Sequence, residues 1–242
     1  SAHTIIAVIT DDMPFLVDSL NIVCAQSGLA VHLLAHPVFS VTRDRRGRLT
    51  GVFLDTTPAA ARTESWQFIE VDRESDSQRL AALEQRIRAT LDDVSRATRD
   101  WRRMRDRALA IAGELATGLP GVPAREVRET QALLRWMADN HFTLLGYREY
   151  RLRRWRHFDQ LEPQPETGLG LLRSSRRRRE RPIELRGEVR DFARAQDPLI
   201  ITKANSVSTV HRATYLDYVG VKLFDAAGHV TGERRFIGLW TS

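Results

Sequence analysis

The chain has 242 residues, 42% of them apolar, and a formal net charge of +6. That is enough for one large core or two smaller ones, since domains run to about 100–150 residues, and two are expected. Six arginines against one glutamate in Arg173–Arg181 concentrate the excess charge in one run. No basic face is left for nucleic acid, and the run lacks interleaved aromatics for base stacking. Apolar runs fall far short of the roughly 20 residues of a membrane span, so a soluble protein with no membrane partner is expected. A single cysteine, Cys24, permits no internal disulfide and fits a reducing cytoplasm. The chain opens on Ser-Ala-His-Thr without a basic or apolar leader and closes on strand-like residues, so it reads as a segment of a longer polypeptide.

Thr4–Thr10 is a β-branched strand, halted by Asp11-Asp12-Met13-Pro14. An aspartate at the N-cap and a proline in the first turn predict a helix there, with an apolar stripe from Phe15 to Ser27 and Gly28 as its stop. Leu29–Val41 and Leu49–Asp55 read as strands joined by the hairpin Asp44–Arg48, in which Gly47 takes positive φ. Ser65–Asp72 alternates with period two. Together these predict an antiparallel sheet of three or four strands carrying one helix. Residues 77–117 keep apolar positions at three- and four-residue steps, an amphipathic helix, and Pro120-Gly121-Val122-Pro123 ends it. A second helix is predicted over Ala124–Asn140.

Phe142–Tyr150 begins the second half as a strand. A polar stretch from Arg153 to Glu166, Gly168–Leu172, the arginine run and a short helix near Gly187–Ala195 follow. Strands are predicted at 199–203, 208–210, 215–224 and 233–240, with a hairpin over Asp225–His229. The fold class is α+β. The domains are expected at 1–110, the first sheet with the following long helix, 111–140, a helical linker, and 141–242, a second antiparallel sheet.

The residues carry no catalytic constellation. Gly168-Leu-Gly170 lacks the third glycine of a dinucleotide turn and precedes arginines instead of a helix. His32 and His36 form an HxxxH spacing on a strand without a third ligand, so no metal is expected. Cys24 lies in an apolar helical pattern and reads as core. Lys203 reads as a surface or salt-bridged strand residue. Asn205, Ser206, Ser208, Thr209, His211 and Arg212 form the densest polar cluster. It is either a loop bonding its own backbone or a docking site with Arg212 as bidentate donor.

Four motifs carry a family resemblance: Asp-Asp-Met-Pro-Phe-Leu-Val-Asp-Ser (11–19), Glu-Ser-Trp (64–66), Phe-Thr-Leu-Leu-Gly-Tyr-Arg-Glu-Tyr (142–150) and Thr-Lys-Ala-Asn-Ser-Val-Ser-Thr-Val-His-Arg (202–212). Over residues 4–242 their order resembles the N-terminal, non-catalytic region of the large bacterial NAD-specific glutamate dehydrogenases. The resemblance implies an ACT-like, ferredoxin-like first domain and a PAS-like second one. The turn before the first helix is similar to the ACT class's Asp-Arg-Pro-Gly-Leu, matching at Asp12, Pro14 and Leu16, with Phe15 in the glycine position. It implies an amino-acid effector at Thr10, Asp11, Asp12, Met13 and Phe15, where helix N-terminal amides attract a carboxylate. Of the two readings of the polar cluster, docking would use Asn205, Ser206, His211 and Arg212. The parent family oxidises L-glutamate to 2-oxoglutarate with NAD. No catalytic residue or cofactor is carried onto this segment. The partners implied are the remainder of the polypeptide, neighbouring subunits and an amino-acid effector. The expected role is a non-catalytic regulatory and assembly segment; an amino-acid-binding allosteric sensor module and a pure oligomerisation scaffold are the alternatives.

Overall fold

A computed structural model describes residues 2–54, 58–173 and 181–241. The chain forms two compact units, residues 1–95 with Thr209–Ala213, and residues 96–208 with 214–242. It is α+β, with two antiparallel sheets and a long helix between them in the sequence.

In the first unit, β1 (His3–Asp11), β2 (Val31–Ala35), β3 (Val38–Arg43), β4 (Leu49–Phe53) and β5 (Arg62–Asp72) make one sheet in the order β1-β5-β3-β4, with β2 also on β5. The stretch predicted as one strand over 29–41 is two, because Pro37 has no N–H for the ladder and breaks it after His36. The Asp44–Arg48 hairpin forms as read. Gly47 has φ 78°, and Asp44 Oδ1 accepts from the N–H of Arg46 and Arg48 at 2.8 and 2.9 Å. Asp55 lies outside the described residues.

Helix α1 (Leu16–Gln26) and the first turns of α2 (Ser77–Glu114) cover one face of this sheet. Val8, Leu20, Val23, Cys24, Ile69, Val71, Leu83 and Ile87 fill the space between them. Two helices therefore serve this sheet where the sequence predicted one. Gly28 ends α1 with φ 71°, as expected of a helix stop. The start of α1 differs from the expectation. Its N-cap is Phe15 in the left-handed region at φ 70°, with no side-chain cap bond, while Asp11 belongs to β1. Asp76 provides α2 with the aspartate cap, accepting from the N–H of Gln78 at 2.7 Å.

The second unit is built on a sheet of seven strands: β6 (Phe142–Arg154), β7 (Asp159–Pro163), β8 (Leu169–Gly170), β9 (Ile183–Leu185), β10 (Leu199–Val207), β11 (Tyr215–Phe224) and β12 (Val230–Trp240). Their order is β10-β11-β12-β6-β7-β9, with β8 also on β6. Met104, Ile111 and Leu115 from α2 and its end, Val127 and Leu134 from α3 (Ala124–Trp136), and Met137 pack on Leu144, Tyr147, Val219 and Phe236. Residues 111–140 thus supply core to this unit. A smaller cluster of Tyr150, Leu152, Leu161, Leu185 and Val230 packs Ala193 of α4 (Gly187–Arg194).

Two predicted elements need correction. The polar stretch 153–166 contains β7, whose Asp159 and Leu161 point inward. Residues 208–210 are not a strand; β10 ends at Val207 after a register irregularity. The part of the arginine run at 174–180 lies outside the described residues.

Candidate functional site

The turn before α1 carries an unusual backbone. Phe15 has φ 70°, and His211, in the Thr209–Ala213 segment of the same unit, also has φ 70°. Left-handed conformations in non-glycine residues cost about 1–3 kcal/mol each and cluster at functional sites. Arg212 N–H donates to Val210 C=O at 2.9 Å, so His211 is the centre of a three-residue γ-turn. The two strained residues meet, their ring centroids 4.8 Å apart and tilted by 39°.

Side-chain bonds hold the contact from three sides. His211 Nδ1 lies 3.0 Å from Asp18 Oδ2 in the first turn of α1. The His211 N–H donates to Ser19 Oγ at 3.1 Å, and Ser19 is fully buried. Thr209 Oγ1 donates to Asp93 Oδ2 on α2 at 2.9 Å. Val210 between them is fully buried. A carboxylate one turn inside α1 also suits the positive end of the helix dipole.

The expected site residues divide. Thr10 and Asp11 are on β1, and Asp12 donates its N–H to Thr63 C=O at 3.0 Å, tying the turn to β5. Met13 is half-buried and leads into Phe15. Phe15 occupies the place where the ACT resemblance has glycine, and the backbone keeps the conformation glycine prefers. Of the docking cluster, Asn205 and Ser206 are exposed on β10, whereas His211 and Arg212 belong to the first unit's turn. Asp18, Ser19 and Asp93 were not singled out from sequence. Ser19 stood in the apolar stripe of α1, and only its burial hinted that it needed a partner.

Polar chemistry elsewhere is built into ion pairs. Glu64 is buried on β5 and accepts from Arg43 Nε and Nη2, both at 2.7 Å, from Arg62 Nε at 2.8 Å and from Trp66 Nε1 at 3.1 Å. Arg43 above all, with Trp66 and Arg62, holds its carboxyl down at about 2. Asp100 accepts from Gly170 N–H at 2.9 Å and from Arg173 Nη2 at 2.6 Å. Burial alone would raise that carboxyl, but these bonds outweigh it and leave it lowered. Asp159, fully buried, is held by Arg194 Nε at 2.6 Å. Arg235 lies between the rings of Tyr150 and Tyr218, 3.9 and 4.8 Å from their centroids.

Lys203 pairs with Asp217 at 2.6 Å, as a salt-bridged strand residue would. Cys24 is buried, and burial pushes its thiol up. His32 of the HxxxH spacing pairs with Asp72 at 2.7 Å. Among the described residues no cluster of three or more His, Cys, Asp or Glu could hold a metal ion.

Residues 1–87 match the family described as glutamate dehydrogenase, ACT1 domain. The whole chain is 35% identical to the NAD-specific glutamate dehydrogenase of Halomonas elongata and 33% identical to that of Pseudomonas aeruginosa. The first 87 residues thus match a glutamate dehydrogenase ACT1 domain, and the chain throughout is similar to part of these NAD-specific enzymes. A third relative, the NAD-specific glutamate dehydrogenase of Mycobacterium tuberculosis, is 26% identical over 97% of the chain. The chain spans 15% of the length of the first two relatives and 14% of the third. The strained turn at Phe15 therefore lies inside the ACT1 domain, and the His211 segment that meets it lies beyond the matched residues.

Proposed function

We propose that this chain is a non-catalytic regulatory and assembly segment of a cytoplasmic, oligomeric NAD-dependent glutamate dehydrogenase, with an ACT1 domain followed by a PAS-like sheet domain. The parent reaction, oxidation of L-glutamate to 2-oxoglutarate with NAD, belongs on this reading to the rest of the polypeptide. The observation that carries it is the Phe15–His211 contact. A glycine in the left-handed position would leave the helix amides open to a ligand carboxylate. Here an aromatic side chain stands at that position and the chain's own His211 covers it. The turn from Thr10 to Phe15 thus serves as an internal docking point held by His211.

The chemistry of the described residues supports a non-catalytic role, because the buried carboxylates Glu64, Asp100 and Asp159 are each engaged by arginine. None stands as a general base beside an open pocket. Purified chain assayed with L-glutamate and NAD is expected to form no NADH; turnover above a heat-denatured control would contradict the proposal. A second reading, a live amino-acid sensor at the same turn, is favoured by the strained backbone at Phe15, since strain of this kind marks ligand clamps. It requires His211 to move aside, and it predicts amino-acid binding that disappears in Asp12→Ala.

A further inference from the structure

The hairpin between β6 and β7 departs from the charge pairing seen elsewhere in its unit. Residues 151–158 read Arg-Leu-Arg-Arg-Trp-Arg-His-Phe, a run of basic and aromatic residues without a carboxylate. Arg153 pairs with Glu162 at 3.1 Å, whereas Arg151, Arg154 and Arg156 enter no ion pair among the described residues. Trp155 stands among them 55% exposed. The chain's excess of arginine thus has a second seat outside 173–181, and this one has the aromatic that the first lacks.

Trp155 is held in place before anything binds it. Its N–H donates to Phe158 C=O at 3.0 Å, closing the loop, and its C=O accepts from Arg190 Nη2 at 3.3 Å. Its ring stacks on Phe158 with centroids 6.0 Å apart, and the Arg186 guanidinium lies 5.3 Å from the Phe158 centroid. The buried Asp159 accepts from Arg194 Nε and Nη2 at 2.6 and 2.7 Å, fixing the hairpin to α4. A side chain already fixed loses little freedom on binding, and a rigid exposed tryptophan is the kind of anchor that dominates interfaces.

α4 brings further apolar surface beside the hairpin. Arg190 and Arg194 reach Asp159, while Val189 and Phe192 of the same helix are 59% and 51% exposed. Apolar side chains gathered in this way and rimmed by charge mark an interaction surface.

The charges name the partner. Arginines without a carboxylate call for an acidic one, since the guanidinium fork matches a carboxylate in two bonds. The rim also carries Glu184, Glu188 and Asp191, all exposed. A lipid headgroup layer or a phosphate backbone is uniformly anionic and would set charge against these three. A polypeptide can place carboxylates opposite the arginines, put an apolar side chain against Trp155, and leave the acidic positions alone. The chain spans 15% of the length of its first two relatives, so a parent polypeptide of that size has ample chain to supply it.

We infer that the Trp155 hairpin tip and α4 form a docking surface for an acidic segment of the longer polypeptide, one that carries an apolar anchor between its carboxylates. This rests on the assembly reading given above and names a surface for it.

The test is a photo-crosslink in the parent-length polypeptide, with Trp155→p-benzoylphenylalanine and, separately, Phe192→p-benzoylphenylalanine. Both positions are exposed, so neither change touches the core. After irradiation, peptide mapping should find one and the same segment from both positions, with aspartate and glutamate outnumbering lysine and arginine. The yield should fall about fivefold or more in R151E/R156E, and also when salt is raised from about 50 mM to about 500 mM. R151K/R156K, which keeps the charge, should retain most of it.

No adduct, adducts scattered along the chain, or a mapped segment that is neutral or basic overturns the inference. So does an adduct on lipid or nucleic acid, or a yield indifferent to salt and to R151E/R156E. An oligomeric parent enzyme without the adduct sinks this inference and leaves the assembly reading standing. NADH formed by the 242-residue chain alone sinks that reading whatever the crosslink shows.

Discussion

Replacing Glu64 by glutamine tests how the ACT1 sheet is held. The carboxylate is buried near the start of β5, and four donors from Arg43, Arg62 and Trp66 converge on it. These partners bring its pKa from 4.5 down to about 2. A depressed carboxyl pKa is stability that is fully present above the unfolded value and lost as pH falls through the folded one. At 1.36 kcal/mol per unit the shift corresponds to about 3 kcal/mol at neutral pH. Glutamine has nearly the same shape but no charge and no titration. Glu64→Gln should therefore be less stable than the parent chain by about 3 kcal/mol at pH 7, by a similar amount at pH 5.5, and by progressively less between pH 4.5 and 2. Urea unfolding followed by circular dichroism at pH 7, 5.5, 4 and 3 reads the difference. A gap that stays constant across this range, or one below about 0.5 kcal/mol at pH 7, would refute the reasoning.

His211→Ala removes the ring against Phe15 and the bond to Asp18, and should speed amide hydrogen exchange at residues 16–19 about tenfold while leaving β6 and β12 unchanged. Lys222, buried at the end of α4, donates to the carbonyls of Phe192 and Ala195 at 2.7 and 2.8 Å although burial lowers its pKa. Lys222→Met should destabilise by about 1–3 kcal/mol and expose residues 187–195 to proteolysis, because two carbonyls at the C-terminal end of α4 lose a charged donor. Gly170 has φ 58°, and a Cβ there would stand 2.2 Å from the Leu145 carbonyl oxygen. Gly170→Ala should therefore cost more than about 2 kcal/mol in thermal or urea unfolding, and Asp100, which accepts that residue's N–H, should lose its bond.

Much of the architecture could be read from the residues because local signals and tertiary needs agree. Gly47 and Gly228 sit at positive φ in hairpins flanked by alternating strands, and Gly28 stops α1. The long helix follows from apolar spacing alone. The start of α1 could not be read in this way. Asp11, Asp12 and Pro14 are standard helix-start residues, yet the cap is Phe15, because Asp11 is committed to β1 opposite Glu64 and Asp12 to the Thr63 carbonyl. β7 was hidden because its inward positions include Asp159, a charge that is buried only because Arg194 and Arg190 meet it. The candidate site was half legible. The turn at Thr10–Phe15 and the cluster at His211–Arg212 each stood out, but the contact joining them spans 193 residues from Asp18 to His211. No periodicity or spacing encodes a pairing at that distance.

On the proposed reading the ACT1 turn is closed by the chain's own His211 and takes no free effector. Thermal unfolding of the purified chain against a panel of amino acids, 2-oxoglutarate and NAD tests it most directly, since a ligand at 100 times its Kd stabilises by about 2.7 kcal/mol. No shift in Tm is expected with any member of the panel. A shift given by one amino acid and abolished by Asp12→Ala would contradict it and make the turn a sensor.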